Sequence, residues 1–580
     1  MKKLIYLASI CCVMLFASCE DFLTVSSPDK VTTGNFWKNL KEAEATMASA
    51  YAQLYHGDSY ATSEVRWPVE AFRTDLYTMG TDAINYQTWT DIYKFTYTNG
   101  NTQFSYYYQD LYRGINFANQ ILEYVPQIPE DGITEAKRSE LIAEAHFMRG
   151  YYHLMLILNW EKIIIRDKYL TDQADLNKPL SDRITCWNFV IDELKLGTAL
   201  PATRPSTEIG RATSGAAHAY LGFAYLTRAY EEPANESAHL TAALKALNEV
   251  QGYELVDSDK MLQMFNGKNK NCPESIFELQ YSANTDNGAS YYSYVHCFIA
   301  CSEIGGEILP SARLVEEYKK EGRKTSDGLY DQRLYNTIYF KDDYFNDADN
   351  GELIFGEFTY DECFWRWRQN ENKKYVDANG NIIDIPTGED TDEYLESHGG
   401  VKDVYDRPNF RRFTPETYEE LRDYCPFNIP LMRYANVMLM KAEVLNKQGH
   451  PEQAIPLINE IRAKHGKMPA MKGTSQAEVQ AQIEHERIIE FPLESYRWYD
   501  LRRWGKLSEV LGKPERRLVL QIIDAKDRIA EETSIDSFIA GFELAWKLSV
   551  ELNHYENERS VSCQTAMGSG ARFASKEEEK

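Results

Sequence analysis

Three groups of aromatic residues carry the most suggestive side-chain chemistry in the chain. Asn85-Tyr86-x-x-Trp89 sets an amide beside a phenol and an indole. Tyr291, Tyr292 and Tyr294 fall in a stretch rich in Gly and Asn, and Trp365-x-Trp367 alternates with Arg366 and Arg368. In an extended segment that alternation puts both indoles on one face. A sugar ring offers an apolar face of C–H groups and a rim of hydroxyls, so it suits a flat ring flanked by Asn, Asp, Arg or Gln. Phenol and indole supply apolar area with a polar handle and few torsions to freeze. Trp67, ahead of Pro68, is a weaker candidate of the same kind. The competing reading for every one of these rings is burial in a core, the ordinary fate of aromatic side chains.

Other chemistry finds less material. The chain has no HExxH zinc motif, no GxSxG nucleophile elbow and no GxxxxGK[ST] phosphate loop. A glycosidase needs two carboxylates about 5–9.5 Å apart, and among 88 Asp and Glu residues nothing singles out such a pair. Seven cysteines lie beyond the N-terminal segment: Cys186, Cys272, Cys297, Cys301, Cys363, Cys425 and Cys563. Odd in number and widely scattered, they do not read as a disulfide framework. Cys297-x-x-x-Cys301 with His296 lacks a second ligand pair for zinc, so isolated buried thiols are expected. No metal site and no cofactor follow from these patterns, although the Asp- and Asn-rich loops leave a loop calcium ion open. Arg433, Glu443, Arg487, Glu490, Arg497, Asp500, Arg502 and Arg503 are expected to pair or to bridge packed helices rather than to form a catalytic cluster.

Helical periodicity supplies the elements that must hold the rings. Leu141, Ala145, Met148, Tyr152 and Met155 recur every three or four residues, after a segment Thr102 to Val125 punctuated by Pro126 and Pro129. Arg211 to Tyr230 repeats the pattern with many Ala and Gly, which lets neighbouring helices approach closely. Leu431 to Asn446 forms another stripe, and Gly449-His450-Pro451 ends it and starts a partner carrying Ala454, Ile455, Ile458 and Ile461. The pattern predicts a mainly α scaffold of tetratricopeptide-like helix pairs, scattered rather than in strict tandem. Residues 60–100, 252–310 and 320–425 read instead as ligand loops with few short strands, such as Ser275 to Leu279. Loops this long on a rigid scaffold ordinarily carry function.

The 580 residues hold 63 Lys and Arg against 88 Asp and Glu, a net charge of −25. That length suggests three or four domain equivalents at about 150 residues each, or one large fold. The acidic balance excludes a nucleic-acid partner, which needs clustered cations. A mean hydropathy of −0.51 excludes a polytopic membrane protein. Met1-Lys2-Lys3 followed by apolar Leu4 to Phe16 reads as a signal peptide, too short to span a bilayer comfortably. Ala17-Ser18-Cys19 resembles a bacterial lipobox, with residues 1–18 removed and Cys19 lipidated. Two lysines leave with the signal, so the mature charge becomes −27. Glu20 and Asp21 resemble the signal that exports lipoproteins of the Bacteroidetes to the cell surface.

Motifs spread along the chain carry a wider resemblance. They are Phe36-Trp37 with Glu42-Ala43-Glu44-Ala45 and Ala50-Tyr51, Ile115 to Asn119, Glu144 to Arg149 with Tyr151-Tyr152, and Arg211-Ala212-Thr213. The C-terminal group is the most specific: Leu431 to Ala435, Ala442-Glu443, Asn459 to Arg462, Glu486-Arg487 before Glu490, and Arg497 to Trp504. As a set, over roughly residues 19–512, they resemble the SusD/RagB family of outer-membrane nutrient-binding lipoproteins. The resemblance implies four tetratricopeptide-like helix pairs cradling a loop-rich region, here residues 31–512 behind a tether at 19–30. It also implies a protein anchored by lipid at the cell surface, exposed on the outer membrane. Its ligand would be a glycan or oligosaccharide and its partner a SusC-like TonB-dependent transporter, over which it forms a lid, without catalysis. Family members often place a stacking Trp and a polar partner in the early loop that holds Asn85, Tyr86 and Trp89. A surface glycan-cleaving enzyme and a structural or adhesive lipoprotein are the readings from other classes. Residues 513–580 depart from the family: Ile535, Phe538, Ile539, Phe542 and Trp546 mark an amphipathic helix in a tail that looks fused or frameshifted.

Overall fold

The computed structural model describes residues 36–55, 66–79, 86–171, 173–282, 308–340, 408–416 and 425–507, with short pieces at 375–376, 382–383, 394 and 397. Helices dominate them. The N-terminal half contains α1 (Leu40–Ala52), α2 (Arg66–Glu70), α3 (Gln87–Tyr93), α4 (Thr102–Tyr124), α5 (Glu135–Asn159), α6 (Arg183–Gly197), α7 (Ser214–Glu231), α8 (Glu236–Asn248) and α9 (Ser258–Phe265). Further along lie α10 (Ala312–Lys319), α11 (Gln332–Thr337), α12 (Tyr434–Lys447), α13 (Pro451–Lys464), α14 (Gln476–Glu490) and α15 (Arg497–Arg503).

Side chains set where the long helices begin. Asn101, Thr134, Asp182 and Thr213 each accept a backbone N–H of the first turn of α4, α5, α6 and α7. Ser475 and Glu478 close a reciprocal capping box on α14. Each cap satisfies a donor that the helix cannot, worth about 1 kcal/mol. The end of α5 is met by cations: Arg183 donates to the carbonyls of Ile157 and Trp160, and Arg502 to that of Leu158. Positive charge there complements the helix dipole.

Neighbouring helices then pack in sequence, α4 on α5, α5 on α6, α7 on α8, and α12 on α13 and α14. The small residues act as the sequence suggests. A Cβ on Gly222 would lie 2.5 Å from the Leu247 side chain, and one on Gly150 would lie 3.1 Å from Leu194. The helix pairs share a large apolar core, and a second cluster fills the space between α12, α13 and α14. Among the described residues Cys186 and Cys272 are buried free thiols, as expected, and Cys425 is buried without a disulfide. Trp67 is also core, facing Phe413. Among the described residues no helix is long and apolar enough to cross a membrane.

Short antiparallel pairs stitch the loops to this scaffold. They are β1 (Tyr77–Met79) with β3 (Ile308–Pro310), β2 (Ser275–Leu279) with β8 (Ile429–Arg433), β4 (Ile338–Tyr339) with β7 (Asn409–Phe410), and β5 (Tyr375–Val376) with β6 (Ile382–Ile383). Two boundaries differ from the sequence reading. Leu431 to Arg433 belong to β8 and not to the helix, because a short buried strand running straight into a helix shows the same apolar run. Arg211 and Ala212 precede α7, since Thr213 is its cap.

Candidate functional site

Tyr86 and Trp89 are set by the start of α3. Tyr86 stands at the cap position, and its carbonyl accepts the backbone N–H of Trp89 at 3.0 Å. This turn brings the two rings face to face, with centroids 4.5 Å apart and planes 21° apart. Phe72 meets Trp89 edge-on at 5.6 Å. Trp89 is consequently only 1% exposed, whereas Tyr86 is half-buried, so the open surface of the pair belongs to the phenol. On the outer face of α3, Gln87 donates to Asp91 at 2.7 Å, and Thr90 is half-exposed one turn from Tyr86. Asn101 ties this helix to the next by donating to the Thr88 carbonyl at 2.9 Å. A ring with polar neighbours on a braced helix suits C–H stacking and hydroxyl hydrogen bonds. Asn85, Tyr291, Tyr292, Tyr294, Trp365, Trp367 and Cys19 lie outside the described residues.

The charged motif residues form a different kind of assembly. Arg433 is fully buried, with Nη1 2.5 Å from Glu274 and 3.0 Å from Glu490, and Nη2 2.7 Å from Glu494. His465 lies between Glu274 at 3.1 Å and Glu490 at 3.0 Å. From α11, Arg333 reaches Glu486 at 2.7 Å and Glu490 at 3.2 Å, and Arg412, beside β7, reaches Glu494 at 2.9 Å. Arg462 bridges Glu321 and Glu486, at 2.6 and 2.7 Å. A second group joins Arg503 to Glu443, Arg487 to Asp500 and Arg497 to Asp75, each at 2.8 Å. The pairing expected from sequence is what the structure contains.

Two clusters within it have the composition of a metal site, Glu274/His465/Glu490 and Glu321/His485/Glu486. Their carboxylates are already faced by Arg433, Arg333 and Arg462, so guanidinium and imidazolium occupy the place of a cation. Burial opposes the charge on His465, but Glu490 and Glu274 outweigh it and raise its pKa to about 9. Burial likewise opposes the charge on His485, and Glu317 and Glu321 raise it to about 9. Glu490 stays below the usual carboxylate range despite burial, held by His465 and Arg433. These charges serve one another. They tie α11 and the β7 segment, the roots of the loop region, to α13, α14 and the β2–β8 pair.

A third feature is a cavity of about 290 Å³ between α4, α5 and the turn at residues 167–169. His146 and Arg149 lie in it, within a motif the sequence offered only as a family mark. Their three-residue spacing on one helix face was the available signal.

Comparison with known proteins gives these features a family setting. A model of the SusD family matches residues 273–535, and a model described as starch-binding associating with outer membrane matches residues 21–226. A SusD-like protein of Formosa agariphila is 24% identical over 517 residues, covering 85% of this chain and 90% of that protein. The fold is similar to the crystal structure of a SusD superfamily protein from Bacteroides vulgatus, with a TM-score of 0.62 at 23% identity over 83% of this chain and 92% of that one. It is similar as well to a laminarin-binding SusD-like protein, with a TM-score of 0.59 at 20% identity over 82% of this chain and 95% of that one.

Proposed function

The chain belongs to the SusD family, and from that premise we propose that it captures glycan at the outer membrane and hands it on without cleaving it. In this reading Cys19 carries the lipid anchor, the protein faces the cell exterior, and its partner is a SusC-like TonB-dependent transporter that it covers as a lid. Support for a glycan ligand comes from the laminarin-binding relative in fold and from the family description of starch binding.

The observation that carries the proposal on this chain is the half-open Tyr86 ring stacked on buried Trp89. One sugar ring lies against the phenol face, while Gln87, Thr90 and Asp91 exchange hydrogen bonds with its hydroxyls. Trp89 acts from behind. It holds the Tyr86 ring in place before ligand arrives, which lowers the ordering cost of binding. Asn85, next to Tyr86 in the sequence, would add an amide, and Tyr291, Tyr292, Tyr294, Trp365 and Trp367 would supply further rings for a longer chain. The mechanism needs no metal and no cofactor.

The transporter role is tested in membranes. Affinity isolation of the full chain from outer membranes is expected to recover a large β-barrel transporter in stoichiometric amount. Recovery of the lipoprotein alone from gently solubilised membranes contradicts the lid role. Incubation with a glycan panel is expected to leave the number of reducing ends unchanged, and new reducing ends would move the protein to the enzyme class.

A further inference from the structure

The cavity between α4, α5 and residues 167–169 shares no lining residue with the Tyr86 surface. Its floor is built from buried polar groups. Asn119 donates to the carbonyls of Arg166 and Lys168, at 3.1 and 3.0 Å, which pins the turn across the helices. Arg149 donates to Asn119 at 2.8 Å, to the Asp167 carbonyl at 2.7 Å and to both oxygens of Glu193 at 2.7 Å. Four of its five N–H groups are therefore spent inside the protein.

The charges around the cavity are matched. Arg149 faces Glu193, Lys168 faces Asp175 at 2.7 Å, and Asp167 faces Lys178 at 2.8 Å. A bound anion would find no cation without a partner. What remains open is mostly hydrogen-bond acceptors. Glu193 engages Nδ1 of His146 at 2.9 Å, so in the tautomer with its N–H at Nδ1 the ring presents the Nε2 lone pair. Nε2, the Glu123 carboxylate and the Tyr169 hydroxyl make no protein hydrogen bond among the described residues. Leu122 and Ile142 supply an apolar wall.

Acceptors beside an apolar wall suit a molecule with several O–H donors and a C–H face, and the matched cations disfavour an anion. At about 290 Å³ the cavity sits at the small end of ligand sites, which run from roughly 300 to 1,000 Å³. That size suits one ring and not an extended chain. We propose that this cavity is a second binding site, separate from the Tyr86 surface, for a single neutral sugar ring. A vicinal pair of hydroxyls would donate to Glu123 and to His146 Nε2, and the ring's C–H face would lie on Ile142 and Leu122. The proposal stands on this cavity alone and does not depend on glycan capture at Tyr86.

The test is saturation-transfer NMR on the full chain with glucose, galactose and mannose as probes. At least one of them is expected to bind in the millimolar range, equally in wild type and in Tyr86→Ala. Ile142→Trp, which fills the cavity, and Glu123→Gln, which weakens the acceptor at its exposed mouth, are each expected to lower that affinity by about tenfold or more. No transfer from any of the three sugars overturns the proposal, and so does transfer that is unchanged in folded Ile142→Trp. Should Ile142→Trp not fold, unchanged binding in Glu123→Gln overturns it alone. Loss of long-glycan binding in Tyr86→Ala with single sugars still bound separates the two sites.

Discussion

Two polar regions of this molecule differ in how deeply they are buried and in how fully their side chains face one another. Around Arg433, arginine, histidine and carboxylates are sealed from water and meet one another at 2.5–3.1 Å. At the start of α3, Tyr86 is only half-buried, and its polar neighbours Gln87 and Asp91 are exposed and half-exposed. The first region is sealed and paired within itself, and it holds elements together. The second is partly open to solvent and has a rigid backing. Charge density alone would have ranked them the other way round.

Damage to the two regions is expected to separate stability from binding. The largest effect is expected at Arg433. Arg433→Ala leaves Glu274, Glu490 and Glu494 buried with one of their cations gone, a change that typically costs about 3–5 kcal/mol. Urea denaturation is expected to show that loss, while the protein that remains folded keeps its glycan affinity. Wild-type stability in Arg433→Ala would show that the network is not structural.

Trp89 should fall between the two regions. Trp89→Ala removes a buried indole and is expected to cost about 3–5 kcal/mol, with affinity falling as well because the Tyr86 ring loses its support. Trp89→Phe keeps a ring behind Tyr86 and is expected to restore affinity ahead of stability. A Trp89→Ala protein with full affinity would show that Tyr86 needs no backing.

The histidines give a smaller and graded test. His465 and His485 have folded values of about 9 against an ordinary 6.5, raised by their carboxylate partners against burial. Their contribution is fully present below pH about 6.5 and is lost as pH rises through about 9, on the order of 3 kcal/mol each at most. His153 runs the other way. Burial lowers it to about 4, and its Nε2 accepts the Arg166 N–H at 3.2 Å, so its contribution is present above pH about 6.5 and fades as pH falls through 4. Unfolding free energy measured from pH 6 to 10 is expected to decline, and the decline should shrink in His465→Gln. A flat profile over that range would remove the imidazolium from the network.

Much of the scaffold was legible in the sequence. The stripe at Leu141, Ala145 and Met148, the stop at Gly449-His450 and the start at Pro451 all mark helices, because a 3.6-residue period and a capping residue are local signals. The extended Leu431 to Arg433 segment was not legible, since its strand character comes from pairing with Ser275 to Leu279, more than 150 positions away. The same limit applies to Arg333 and Arg412. Neither belongs to a motif, yet both join the Arg433 network through contacts distant in sequence. At the candidate site, Tyr86 and Trp89 were visible as a pair, but which ring faces outward depends on Phe72 behind them.

The central claim is that glycan rests on the open Tyr86 face and is not cut. Titration calorimetry of wild type and Tyr86→Ala with laminarin oligosaccharides and a wider glycan panel addresses it. The account predicts a saturable heat for at least one glycan, an affinity lower by about tenfold or more in Tyr86→Ala, a stability unchanged to within about 0.5 kcal/mol, and no new reducing ends in the cell. Equal affinity in the two proteins, or no binding across the panel, would contradict it.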